Sequence, residues 1–259
     1  MRVLAVLQKE LLEILRHKML LFSLIPLPLL FVAIPLVMIL LTRDQPVDPR
    51  EAEIYTRLSP DFAHLPPGDV IQMMLVGQFL FILLMVPVIV PMTIATFSVI
   101  GEKQARSLEP LLATPIRTWE LLLGKALAAT LPAVVATWLA YGILIVGIAI
   151  LASPLVLASA ASPMWLLAIL IIAPLLALLG VNLGILMSSR FNDTRVAQQI
   201  GGLVVLPLVG LGMVQVMGIV LYNLPMFLAG AVALAALDAG VLMVAVKLFQ
   251  RETILTRWK

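Results

Sequence analysis

The chain has 259 residues, of which 62% are hydrophobic and 12% are charged, and its mean hydropathy is +1.13. Soluble domains are about half apolar and about a quarter charged, so this composition argues against a water-soluble globule. The formal net charge of +3 is too small to indicate nucleic-acid binding, and without cysteine the chain has no disulfide, catalytic thiol or thiolate metal ligand.

The first 18 residues predict an amphipathic helix that is too polar to cross a membrane. Apolar side chains recur at three- and four-residue spacing, and charged side chains fill the remaining face. Such a helix suits the membrane interface, although a plain extension of the first span fits the same pattern. The apolar positions are Val3, Val6, Leu7, Leu11, Ile14 and Leu15, and the charged positions are Lys9, Glu10, Glu13, Arg16 and Lys18.

Six continuous apolar segments account for most of the remaining chain. Each is long enough to cross about 30 Å of hydrocarbon as a helix, and their continuous apolar character favours helices over a membrane barrel. The first segment is too long for a signal-peptide core, so we expect it to be a retained span. The sequence therefore predicts an all-α membrane protein with six transmembrane helices. The segments are about 19–42, 70–100, 126–151, 164–187, 200–222 and 226–246.

The distribution of basic residues predicts the orientation of these spans. Residues 1–18, the 101–125 loop, the 188–199 loop and the tail from Lys247 hold fourteen of the seventeen Lys and Arg. Basic loops face the cytoplasm, so both termini are predicted to be cytoplasmic. The acidic, proline-rich segment 43–69 is then the one sizeable external loop, serving as a solvated surface or as a surface for a substrate or partner.

The loop 101–125, between the second and third spans, is the segment most informative about function. Glu102 and Arg106 form an i,i+4 pair of opposite charge, which favours a helix that extends out of the second span. Pro115 then breaks the helical pattern. The composition predicts a short helix across the cytoplasmic surface. That helix either docks into a soluble partner or is an ordered connector.

The stretch SLEPLLATPIRTWELLLGK, residues 107–125, resembles the cytoplasmic loop of type-2 ABC (ABC-2 type) exporter permeases. The tail KLFQRETIL, residues 247–255, resembles the end of the last span in the same family, and with the topology the resemblance covers 1–259 as one transmembrane domain. It implies a half-transporter of the prokaryotic cytoplasmic membrane that dimerises with a second copy or a paralogue and binds separate ATPase subunits. It further implies a coupling helix whose ATPase-contacting residues are Glu102, Lys103, Arg106, Leu108, Glu109, Leu111, Leu112 and Arg117.

The sequence contains no nucleotide-binding P-loop, because Gly124–Lys125 is followed by Ala126 and lacks the upstream glycine. We therefore expect no cofactor on this chain, and ATP and Mg on the partner ATPase. The two histidines, His17 and His64, are far apart in sequence and form no metal-ligand pattern. No paired carboxylates or Ser/His set predicts an intramembrane enzyme.

Few polar side chains fall within the predicted spans. A carboxylate at the depth of Asp238 costs about 2.5–3.5 kcal/mol on insertion scales, which indicates either a functional group or a buried structural one. Gly180 and Gly184 form a G-x-x-x-G pattern around Asn182 that permits close helix contact. The predicted residues of a transport path or gate are Asp238, Gln78, Asn182, Gln215, Met213 and Met217.

The scarcity of intramembrane charge favours a hydrophobic or amphipathic substrate over a hydrated ion. Two other transport classes remain as alternatives. One is an ATP-independent secondary transporter or channel. The other is an ABC importer permease, whose Glu-Ala-Ala…Gly loop is not reproduced because Pro115 stands where the glycine would fall.

Overall fold

The computed structural model of the chain describes residues 2–18, 25–43, 64–105, 118–203, 206–207 and 224–248. All regular secondary structure in these ranges is helical. The helices are α1 (Arg2–Arg16), α2 (Pro26–Thr42), α3 (Pro67–Leu83), α4 (Val86–Gln104), α5 (Thr118–Leu151), α6 (Pro154–Ala160), α7 (Pro163–Leu167), a π-helical segment (Ala168–Ile172), α8 (Ala173–Arg190), α9 (Thr194–Leu203) and α10 (Leu224–Leu248).

Four helical stretches of the described chain are long and apolar enough to cross a membrane. They correspond to the second, third, fourth and sixth predicted segments, and they make the chain a helical multi-pass membrane protein. The apolar helix α2, with 17 residues, covers most of the first predicted segment. Most of the fifth lies outside the described residues, so six spans and their orientation remain predictions. The four stretches are Pro67–Gln104, Trp119–Leu151, Pro154–Arg190 and Leu228–Ala245.

The helices around the loop 101–125 extend further than the apolar segments. The helix α4 continues to Gln104, and α5 begins at Thr118, eight residues before its predicted span. Polar side chains in these added turns bind partners on neighbouring helices. The backbone therefore stays helical beyond the end of the apolar segment. The segment 106–117 and the part 44–63 of the predicted external loop lie outside the described residues.

The centre of the fold is the contact between α4 and α8, the most extensive helix pair in the described chain. A Cβ added at Gly180 would overlap the backbone of Val88, and a Cβ at Gly184 would lie 2.7 Å from the carbonyl oxygen of Met92. Gly180 and Gly184 are four residues apart on α8, and Val88 and Met92 are four residues apart on α4. The glycine face of α8 therefore lies against the backbone of α4 over a full helical turn. The G-x-x-x-G pattern is therefore a helix-packing face, with α5 and α10 packed against the same α8.

The outward faces of α5 and α10 are apolar. Ile150 is 72% exposed and Val232 is 70% exposed, and other large aliphatic side chains on these helices are also exposed. Side chains of this kind are stable in contact with lipid and unfavourable in water. These faces agree with a bundle that is surrounded by hydrocarbon.

The π-helical segment is bound to α5 by a side-chain hydrogen bond. The indole Nε1 of Trp138 donates to the carbonyl oxygen of Ile169 at 2.9 Å, and the hydroxyl of Tyr141 donates to the carbonyl of Ala160 at 3.1 Å. A π-helical turn interrupts the regular α-helical hydrogen bonds and exposes backbone carbonyls. Trp138 supplies such a donor to the π-helical segment, and Tyr141 does the same for the last residue of α6.

Candidate functional site

A buried network of charged and polar side chains joins three helices at the loop end of the bundle, the end that carries residues 101–125. We name its members, Glu10 of α1, Ser98 and Glu102 of α4, and Lys125 of α5, the Lys125 cluster. The ammonium Nζ of Lys125 donates to Glu10 Oε1 at 2.8 Å, to Ser98 Oγ at 2.7 Å and to Glu102 Oε1 at 2.8 Å. An ammonium group has three donors, and all three are used within the cluster.

The carboxylate of Glu10 is bound through both of its oxygens. Its Oε1 accepts from Lys125, and its Oε2 accepts from the hydroxyl of Ser98 at 2.9 Å. Lys9 borders the cluster, with Nζ 3.2 Å from Oε1 of Glu10 and 3.2 Å from Oε1 of Glu102. Glu10 is only 3% exposed and Lys125 only 5%, so this is an interior ion-pair network.

The local sequence explains how α1 reaches the cluster. Val6, Glu10 and Ile14 are four residues apart and all buried, so the glutamate lies on the same stripe of α1 as two core side chains. A Cβ at Gly124 would lie 2.7 Å from the Cβ of Val6, so only glycine lets α1 approach α5 this closely. Gly124 therefore makes room for the contact, and Lys125, the next residue, forms the ion pair.

Opposite charges balance in this network and hold the carboxylate of Glu10 in its ionised form. Burial alone would raise the pKa of the Glu10 carboxyl, but the charge and hydrogen bond of Lys125, followed by Lys9 and Ser98, hold that pKa below its usual value. Burial also opposes the charge of Lys9. The carboxylates of Glu10, Glu102 and Glu13 outweigh that effect and raise the pKa of Lys9 above its usual value.

A second set of contacts holds the end of α4 against the end of α8. Lys103 Nζ donates to the carbonyl oxygens of Ser188 at 3.2 Å and Ser189 at 3.5 Å, and Gln104 Nε2 donates to the carbonyl of Asn192 at 3.2 Å. A cation near the last carbonyls of a helix stabilises that terminus. The residues before the 106–117 segment are thus held on one side by α1 and α5 and on the other by α8.

The structure gives two of the predicted ATPase-contacting residues internal partners. Glu102 binds Lys125, and Lys103 binds the end of α8. The other predicted contacts, Arg106, Leu108, Glu109, Leu111, Leu112 and Arg117, lie outside the described residues. Sequence reasoning missed Glu10, Ser98 and Lys125 as members of one site. The signal for Glu10 was available, because it lies midway between the apolar residues Val6 and Ile14 at four-residue spacing.

Two of the predicted transport-path residues meet between α8 and α10. The amide Nδ2 of Asn182 donates to Asp238 Oδ1 at 3.4 Å and to its backbone oxygen at 3.5 Å. Asp238 is 7% exposed and Asn182 4% exposed. Leu234 and Val241, one helical turn before and after Asp238, pack on an apolar cluster of α4 and α8.

The pair therefore lies in a helix-packing seam. The side chain of Gln78 is exposed on α3 and does not join this pair. Met213, Gln215 and Met217 lie outside the described residues. Within the part of the chain that the structure describes, no three His, Asp or Glu residues are grouped to hold a metal ion.

Comparison with known families matches nearly the whole chain. A family model described as an ABC-2 family transporter protein matches residues 4–251, a range that includes most of α1, the Lys125 cluster and α10. A search of curated proteins finds no match. The apolar helices and the extent of the family match agree, and the chain belongs to the ABC-2 family of transporters as a multi-pass membrane permease.

Proposed function

We propose that this chain is the permease subunit of an ATP-binding cassette exporter in a prokaryotic cytoplasmic membrane. Two permeases, identical or paralogous, form the translocation path, and separate ATPase subunits bind ATP and Mg and drive it. The observation that carries the proposal is the family match, which spans the loop between α4 and α5 and both helices attached to it. The permease itself is not the enzyme of this complex.

The contacts at the base of the loop support a mechanical role for it. Glu102 precedes the 106–117 segment and Lys125 follows it, and their side chains are 2.8 Å apart in a buried environment. Separating two buried charges is unfavourable, because each then lacks its partner. A displacement of residues 106–117 by a docked ATPase therefore moves α4 and α5 together rather than spreading them apart.

The predicted spans favour an apolar or amphipathic cargo. The six predicted segments contain no Lys, Arg or His, and Asp238 is their one acidic residue. A path lined by such helices offers little that replaces the hydration shell of an ion. We expect cargo that partitions into the membrane and passes when the two permeases move relative to each other.

Co-purification tests this proposal. The affinity-tagged permease is expressed together with the neighbouring genes of its locus, and co-purifying ATPase subunits are identified. The complex is then assayed for ATP-dependent transport in proteoliposomes. Glu109→Lys, in the predicted docking loop, should abolish association with the ATPase. Glu13→Lys, the same change on the exposed face of α1, should leave association intact. A permease that purifies alone and transports without any ATPase contradicts the proposal.

A second candidate function is transport driven by an ion gradient or flow through a channel. The buried carboxylate of Asp238 favours this alternative, because intramembrane carboxylates are common in ion-coupled carriers. The test is ion-gradient-driven flux in liposomes that contain only this chain. Flux that is abolished by Asp238→Asn would support the alternative, and absence of flux would exclude it.

A further inference from the structure

We propose that the Lys125 cluster is a junction that makes α1 move as one body with the loop ends of α4 and α5. On this proposal α1 is a working part of the coupling machinery, beyond any role as a membrane anchor, and Glu10 and Lys125 are its positioning residues. The inference rests on the proposed function, because it assumes that an ATPase moves the 106–117 segment.

The connectivity of the cluster is the first argument. One ammonium group binds a carboxylate on α1 and a carboxylate on α4, and it is itself carried by α5. Glu10 and Lys125 are 115 residues apart in sequence, so no local feature of the chain brings them together. The hydroxyl of Ser98 binds both charged groups and closes the network on the α4 side.

Burial is the second argument. Glu10 and Lys125 are almost completely removed from solvent, so moving α1 away from α5 would leave two charges without partners or water. The apolar contacts on the same stripe reinforce this resistance, since Val6 lies directly over Gly124 and Ile14 belongs to the main core. Moving the three helix ends as one unit breaks none of these contacts.

The free side of α1 is the third argument. Leu4, Leu12 and Leu15 are exposed on the side of α1 that faces away from the cluster. Leucines on a short amphipathic helix suit the membrane interface. A helix in that position can move along the membrane surface more easily than it can cross the bilayer. The helix is thus fixed to the protein through the face that carries Glu10, and its leucine face is exposed. It is free to follow the loop.

Variants of the junction separate a coupling role from a folding role. Lys125→Met removes the shared donor and should lower ATP-dependent transport about tenfold or more while leaving ATPase association and ATP hydrolysis in place. Glu10→Gln keeps an oxygen that accepts from Lys125 and should lower transport less. The double variant removes both buried charges and should recover stability, because Glu102 loses Lys125 but keeps its ion pair with Lys9. Transport should stay low in the double variant, since the link is still missing. The exposed neighbour Glu13→Gln is the matched control.

Charge reversal is the rescue test. Glu10→Lys combined with Lys125→Glu restores an ion pair between α1 and α5 and should recover part of the lost transport. Recovery should be incomplete, because the carboxylate introduced at position 125 also faces Glu102. If transport returns in the neutral double variant as its thermal stability returns, the cluster has only a folding role and the proposal is wrong. Normal transport by Lys125→Met would also overturn it.

A distance measurement tests the motion directly. The chain contains no cysteine, so spin labels can be placed by single substitutions at the exposed residues Leu12 of α1 and Trp119 of α5. In the complete complex, the distance between the labels should be the same without nucleotide, with ATP and after vanadate trapping. The distribution of distances should broaden in Lys125→Met, which removes the donor of the junction. A nucleotide-dependent change with the cluster intact refutes the junction. If wild-type permease fails to bind an ATPase, the proposed function itself is wrong.

Discussion

Gly184→Ala is the sharpest test of the packing at the centre of the bundle. The added Cβ would lie 2.7 Å from the carbonyl oxygen of Met92 and 3.0 Å from the Cβ of Ala95. Because the shortest favourable C–H···O contacts are about 3.3 Å, α4 would have to move away by about 0.6 Å. Overpacking of this kind costs about 1–3 kcal/mol, against a gain of up to about 1 kcal/mol in helix propensity. We expect net destabilisation of up to about 2 kcal/mol.

The matched control for this substitution is Gly142→Ala in the middle of α5. A Cβ at Gly142 meets nothing within 4 Å, so the change keeps the propensity gain and adds no overlap. Thermal unfolding of both variants in the same detergent, followed by size-exclusion chromatography, measures the difference. We expect a lower midpoint for Gly184→Ala and an unchanged or higher one for Gly142→Ala. Equal midpoints would refute the argument that a glycine is needed at position 184.

Three further predictions follow from single contacts. The pKa of Glu10 lies below its usual value of about 4.3, so its contribution to stability is complete above that pH and is lost as the pH falls through the lower pKa of the folded state. Glu10→Gln should therefore weaken the loss of thermal stability on acidification below about pH 4.3. Asp238→Asn should keep the stability of the seam, because an amide oxygen still accepts from Asn182, whereas Asp238→Ala should lose about 0.5–2 kcal/mol in thermal unfolding. Trp138→Phe removes the donor to Ile169 and should cost about 1 kcal/mol, seen as faster hydrogen exchange in the π-helical segment.

Each of these has an outcome that would count against it. An acid profile of Glu10→Gln that matches wild type would mean that the carboxylate is not held ionised by the cluster. Equal destabilisation by Asp238→Asn and Asp238→Ala would show that the carboxylate is needed for its charge. Unchanged exchange in Trp138→Phe would show that the carbonyl of Ile169 does not depend on the indole.

Hydropathy predicts the membrane spans well, because continuous apolar runs leave a helix no other stable position. It predicts their ends less well. The first turns of α5 carry Glu120 and Lys125, and the last turn of α4 carries Glu102 and Lys103, so both helices continue past the apolar segments that hydropathy identifies. What keeps these turns helical is tertiary contact, such as the bond from Lys103 to the end of α8. Such partners are distant in sequence and leave no local pattern.

The pairing within the candidate site is also not predictable from local sequence. The sequence predicts that residues 1–18, 101–125 and 188–199 lie on one side of the membrane, and the structure brings all three together through Lys9, Lys103 and Gln104. Which carboxylate meets which ammonium depends on the rotation of α1 about its axis. An amphipathic pattern alone leaves that rotation open to within about one residue step of 100°.

The position of α1 shows why this rotation matters. An amphipathic helix whose whole apolar side enters the lipid would place its leucines and Ile14 on one face. The structure divides them, with Ile14 buried against the protein and Leu12 and Leu15 exposed. Glu10 lies on the protein side, where a carboxylate is stable only with the ammonium of Lys125. The ion pair therefore selects the face of α1 that contacts the bundle, and the leucines that remain outside are the ones available to the membrane.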